Sequence, residues 1–197
     1  MAAAGSSKTA NLLLCLTMIS FVQLAQSSPS GDKGIKGFHG KKLSFTLYQQ
    51  ETINKTSYMV VGGVAGAGVS ETTTPFGTVY VFRDDLTVRA ERSSRVAGVV
   101  EGTSVTTSFD GLRSLSLGKI TLDHRGHRGS VSVLGGTHNT RPSDCPVVGG
   151  TGDFAYAVGY VRTSPVNLRA RGSSVTFKVE FHLYWPPYAH YAPTSKH

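Results

Sequence analysis

From Ser174 to Tyr184 the chain reads SVTFKVEFHLY, an unbroken alternation that puts Val175, Phe177, Val179, Phe181 and Leu183 on one side and Thr176, Lys178, Glu180, His182 and Tyr184 on the other. A helix, with about 3.6 residues per turn, cannot sort these residues onto two clean faces, whereas a strand does so automatically. One face apolar and the other polar is the mark of an antiparallel sheet with one side in water. Runs of the same period recur as KLSFTLYQ (42–49), SYMVVGGVA (57–65), GTVYVF (77–82), AGVVEGTSVTTSF (97–109), LRSLSLGKITL (112–122), SVSVLG (130–135) and FAYAVGYV (154–161), which with the last strand make eight. In LSLGKITL the apolar set changes phase across Gly118, from Leu115 and Leu117 to Ile120 and Leu122, which predicts a β-bulge at that glycine. The 23 glycines among 197 residues suit strands that bend, hence a closed sheet more than a flat one. The expected fold is all-β, an eight-stranded antiparallel up-and-down β-barrel forming a single domain, with a β-sandwich as the alternative. Such a barrel has no free edge and has room for one small ligand.

The first 27 residues carry one basic residue, Lys8, then the apolar run NLLLCLTMISFV and the small-x-small site Ala25-Gln26-Ser27, which together read as a secretory signal peptide. The apolar run is too short to span a bilayer, and no later segment comes near the required length. The expected organisation is a signal peptide over 1–27, a flexible segment over 28–41, the barrel over 42–185 and a Pro- and aromatic-rich tail over 186–197. Prolines 186, 187 and 193 cannot join a ladder, so the tail is expected to be extended and largely disordered. With Cys15 in the signal, Cys145 remains alone, so no internal disulfide can brace the fold. Without Lys8 the chain keeps 19 basic against 12 acidic residues. In an exported protein that balance favours acidic wall polysaccharide as a partner over nucleic acid or, after signal cleavage, a membrane. Generic solubilising charge explains it equally well.

Catalytic signatures are sparse. The stretch VVGGTGDFAYAVGY (147–160) contains Gly150-x-Gly152-x-x-Ala155, a loose form of the dinucleotide-binding pattern. That pattern requires a helix after the glycines, but the residues from Phe154 to Val161 alternate with period two, so a tight turn feeding a strand is the better reading. His124 and His127 sit in DHRGHRG, a hairpin turn whose arginines would repel a cation, and no metal site is expected. Asn54-Lys55-Thr56 is an N-glycosylation sequon in a loop.

PFGTVYVFRDDLT (75–87), DGLRSLSL (110–117), SVSVLGG (130–136) and PVVGGTGDFAYAVGY (146–160) match in order and spacing the signature blocks of plant dirigent proteins. The chain resembles that family from about Leu43 to Tyr184. The resemblance implies an eight-stranded barrel, a homotrimer, secretion to the apoplast or cell wall, and a role without cofactor. Laccases or peroxidases outside the protein make phenoxy radicals from phenolics, and the barrel holds them so that they couple with one stereochemistry. Some relatives instead cyclise a quinone methide.

Radical coupling is nearly barrierless, so holding two rings in one orientation suffices for selectivity. Cyclisation asks for more, namely an acid within reach of the quinone methide oxygen. By resemblance Asp153 matches a pocket position that is often acidic, and it is the candidate catalytic acid; an Asp capping its own turn is the structural alternative. Tyr48, Gln49 and Phe177 are the candidate substrate contacts. Two departures bear on activity. The family's His-Asp strand end is Tyr48-Gln49 here, which trades an acid for an amide, and the family's A-R-G-Y is Ala157-Val158-Gly159-Tyr160, which loses an arginine. The expected function is a secreted dirigent-like protein guiding stereoselective coupling or cyclisation of phenolics in lignan or lignin-type biosynthesis. The alternative is a barrel that only binds wall carbohydrate or a defence-related ligand.

Overall fold

A computed structural model of the chain describes residues 40–70, 72–166 and 174–191. The expected signal peptide, most of the flexible N-terminal segment and the end of the tail lie outside the described residues. Nine strands are present among the described residues: β1 (Lys41–Thr52), β2 (Ser57–Val61), β3 (Val79–Thr87), β4 (Val96–Thr106), β5 (Arg113–His124), β6 (His127–His138), β7 (Ser143–Gly152), β8 (Val158–Pro165) and β9 (Ser174–Trp185). All pairings between them are antiparallel, in the order β1-β9-β8-β7-β6-β5-β4-β3-β2. A further pairing of β1 with β3, Tyr48 opposite Thr87 and Gln50 opposite Asp85, closes eight of the strands into a barrel. No α-helix occurs among the described residues.

The last strand keeps the register its sequence dictates. Val179, Phe181 and Leu183 are buried, Val175 and Phe177 face inward on the same side, and Lys178 and Glu180 pair with each other on the opposite face. At one end of the barrel the interior is solid: Phe45 stacks on Phe181 with centroids 4.4 Å apart, and Phe154 and Trp185 pack nearby. Toward the other end it is hollow.

The structure corrects the strand inventory in four places. FAYAVGYV is strand only from Val158, where β8 begins, and residues 153–156 form the turn that follows β7. Ser143–Gly152, whose glycines suggested a turn, is the full strand β7, with Val131 opposite Gly150. Glycine's low strand propensity is overridden there because β7 lies against β6 inside a closed sheet. The segment SYMVVGGVA forms only the five residues of β2, which pairs with the first half of β3 while β1 takes the second half; all of β2 but Ser57 is exposed. Finally, Gly118 carries no bulge. It lies opposite Gly102 and Val133 in unbroken ladders, and the irregularities fall instead at Val60, Ala97 and Val148. Ser114, Ser116, Gly118, Ile120 and Leu122 all point inward, whereas Leu115 and Leu117 point outward and are each 48% exposed. The change of hydrophobic phase thus marks where the interior passes from packed core to cavity, while the outside passes from polar to apolar.

The tail also begins with more order than its prolines suggest. Trp185 is buried and its indole N–H donates to the Ala155 carbonyl at 3.1 Å, Pro186 is buried, and Pro187–Tyr191 form a short 3-10 helix.

Candidate functional site

Small inward residues on β4, β5 and β6 leave the open half of the barrel unfilled, and a cavity of about 620 Å³ results. Its two sides differ in chemistry. On β1, β3 and β9 it is lined by Gln49, Glu51, Tyr80, Phe82, Val175 and Phe177. On β4, β5 and β6 it is lined by Ser104, Thr106, Ser114, Ser116 and Thr137, with Ser116 and Thr137 hydroxyls 2.8 Å apart. The connection between β2 and β3 runs past the mouth, contributing Val69, Thr72 and Thr74. It is tied down by Asn139, whose side-chain amide donates to the Thr72 carbonyl at 2.7 Å, and by the stacked rings of Phe76 and Phe109.

Two carboxyls meet at the β1–β3 seam. Asp84 is completely buried; the Gln49 amide donates to its Oδ2 at 2.6 Å, and its Oδ1 has no partner among the described residues. Burial raises the Asp84 pKa, against the pull of the Gln49 hydrogen bond and the Arg92 charge. Glu51, two residues past Gln49 on the same face of β1, lines the cavity. Burial first and the Asp84 charge second push its carboxyl up to about 7, while Ser57 and Arg92 draw it the other way. Tyr80 is raised as well, by burial and by Glu51. The thiol of Cys145, buried against the cavity, is raised chiefly by burial.

Of the residues singled out in the sequence, Gln49 and Phe177 line the cavity. Tyr48 does not: period two turns it to the opposite face of β1 from Gln49. Asp153 is also away from the cavity. It is exposed just after β7, at the packed end, where its Oδ2 accepts the Arg128 N–H at 2.7 Å and its own N–H donates to the Arg128 carbonyl at 2.9 Å. That is the turn-capping role, the structural alternative to a catalytic one. Asn54 is exposed in the tight turn between β1 and β2, with φ of 61°. Arg125 and Gly126, both at positive φ, form the two-residue hairpin between His124 and His127. Glu51 and Asp84 went unremarked in the sequence, although both obey the period-two rule, Glu51 with Gln49 and Asp84 with Tyr80, Phe82 and Leu86.

A protein-family model described as "Dirigent-like protein" matches residues 43–184. "Pterocarpan synthase 1" of Glycine max is 28% identical over 159 residues, covering 77% of this chain and 82% of that protein. "Pterocarpan synthase 1" of Glycyrrhiza echinata is 27% identical over 157 residues, covering 76% and 79%. Among solved structures, that of the pterocarpan synthase dirigent protein GePTS1 superposes with a TM-score of 0.65 at 20% identity, covering 81% of this chain and 99% of that one. That likeness bears on the fold.

Proposed function

Because this chain belongs to the dirigent-like protein family, we propose that its cavity holds phenolic radicals or quinone methides and sets the stereochemistry with which they couple or cyclise. The observation that carries the reading is the cavity itself: about 620 Å³, open at one end, with Tyr80, Phe82 and Phe177 for aromatic rings and a carboxyl on the same side. That volume lies within the range of roughly 300–1,000 Å³ of small-molecule sites. Discrimination of about 1–3 kcal/mol between two ring placements already gives strong selectivity. Relatives named pterocarpan synthases favour quinone methide cyclisation over lignan-type coupling, as does the acid in the wall. Oxidation itself is left to external laccases or peroxidases.

The same reading places the protein in the apoplast or cell wall after removal of a signal peptide, with a glycan on the exposed Asn54. A homotrimer fits the outer face of β3–β6, where Val81, Thr103, Leu117 and Leu134 lie side by side across the sheet and the three apolar members are 43–48% exposed. Such a contiguous apolar face is an association surface. The net basic charge suits retention on acidic polysaccharide.

The test is oxidation of coniferyl alcohol by laccase with and without the protein, run beside cyclisation of a preformed quinone methide, with products resolved by chiral chromatography. An enantiomeric excess that depends on the protein supports the proposal. Racemic products in both arms refute it and turn attention to the hydroxyl-rich wall formed by Ser104, Ser114, Ser116 and Thr137, which suits an oxygen-rich ligand that is bound without reaction.

A further inference from the structure

The family's pocket acid is missing at position 49, yet the wall is not without a carboxyl. β1 runs from the packed end toward the mouth, and Glu51 comes after Gln49 on its inward face, about 7 Å farther along at the usual strand rise. We propose that Glu51 is the catalytic residue of this cavity, transferring a proton to the oxygen of a bound quinone methide while Asp84 acts on it as a positioning residue. The inference rests on the proposed function of the cavity.

The alternatives nearby are each otherwise engaged. Gln49 has no labile proton, and its amide is committed to Asp84. Asp84 is wholly buried and outside the cavity lining, so it cannot touch a ligand; its charge reaches the cavity only through its effect on Glu51. Arg92 is held by the Thr52 hydroxyl at 2.9 Å and by the backbone carbonyls of Glu51 and Val175. The charged and titratable groups bearing on Glu51 are therefore Asp84 and Tyr80 from β3 and Arg92 from the β3–β4 connection. Burial and Asp84 outweigh Arg92, so the carboxyl keeps its proton until about pH 7. A general acid is most effective when its pKa lies near the working pH.

The step balances without an outside reagent. A hydroxyl oxygen of the ligand bonds to the exocyclic carbon of the quinone methide. The ring regains its aromatic sextet as electrons move onto the former carbonyl oxygen, which takes the Glu51 proton and becomes a phenol. The proton of the added hydroxyl passes to the Glu51 carboxylate, directly or through water entering at the mouth, and restores the acid. Nothing is oxidised or reduced.

The probe is the para-quinone methide made with silver oxide from a 2-methoxyphenol bearing a pendant hydroxybutyl chain. Its cyclisation rate and product excess are followed from pH 5 to 8 with wild-type protein, Glu51→Gln, Glu51→Asp and Asp84→Asn. Binding of the parent phenol and the melting temperature are recorded for each. Wild-type acceleration should fall as pH rises through about 7. Glu51→Gln should lose about a hundredfold in rate with binding unchanged and a melting temperature no lower than that of wild type, and Glu51→Asp should recover part of that loss. Asp84→Asn should retain the reaction but move the fall to lower pH, because removing a neighbouring negative charge lowers the Glu51 pKa. If Glu51→Gln keeps its rate within about threefold, a change too small for the loss of a general acid, Glu51 is not the acid and the cavity reading stands. If wild-type protein neither accelerates nor biases the reaction, both fail.

Discussion

The side-chain amide of Gln49 on β1 donates a 2.6 Å hydrogen bond to Oδ2 of Asp84 on β3, joining the two strands whose pairing closes the barrel. An amide tolerates a buried carboxylate where an acid would compete with it. Gln49→Asp should therefore create a pair that cannot ionise together. Its folded pKa values rise above the unfolded ones near 4, so stability is intact below that range and is lost as pH climbs. Melting temperatures of the variant at pH 5 and pH 8 should diverge from wild type more at the higher pH, by an amount equivalent to about 2 kcal/mol or more. Equal melting at both would show that the seam absorbs a second charge.

Glu51 imposes its own pH dependence on stability. Its carboxyl titrates near 4.5 ordinarily and about 7 in the fold, so folding favours the protonated form. The stabilisation is complete below pH 4.5 and disappears by pH 7, an effect of up to about 3 kcal/mol. Denaturant unfolding of wild type and Glu51→Gln across that window should show wild type losing stability relative to the variant. Parallel curves would contradict the raised value.

Asp153 acts on the turn rather than on a ligand. Asp153→Ala should cost about 0.5–1.5 kcal/mol through the lost bond to the Arg128 amide. Any stereoselectivity should be untouched, since the residue lies at the packed end. A selective loss of product excess at unchanged melting temperature would return Asp153 to the chemistry.

Gly159 has φ of 129° and lies so close to β9 that a Cβ would meet the His182 carbonyl. Gly159→Ala therefore has to break or shift the β8–β9 ladder, which pairs Gly159 with Leu183. The expected outcome is a loss of soluble protein or destabilisation by about 3 kcal/mol or more, measured by chemical denaturation. Wild-type stability in this variant would mean that the ladder slides at little cost.

Assembly depends on the outer face. Light scattering should give a trimer mass for wild type and a monomer for Leu117→Glu, which places charge in the middle of the exposed Val81–Leu134 row. A wild-type monomer at micromolar concentration would leave that row without a covering partner of its own kind.

Period-two alternation from Val175 to Leu183 determined the strand, its buried face and the all-β class, because which way successive side chains point is a property of the extended backbone alone. The signature blocks likewise carried the family. Sequence could not tell core from cavity. Leu115, Leu117, Ile120 and Leu122 are all apolar, yet two face outward and two inward along one regular strand, and only the neighbouring strands distinguish those environments. Nor could it show that β7 is a stave and β2 lies outside the closed eight, since glycine content is a local signal and barrel closure is not. The acid site depended most on tertiary structure. Gln49 and Asp84 are 35 residues apart, and their contact, with the burial that shifts Glu51, exists only because β1 pairs with β3 when the sheet closes. Asp153 drew attention through its glycine-rich setting, but its place at the packed end leaves its carboxylate with the turn.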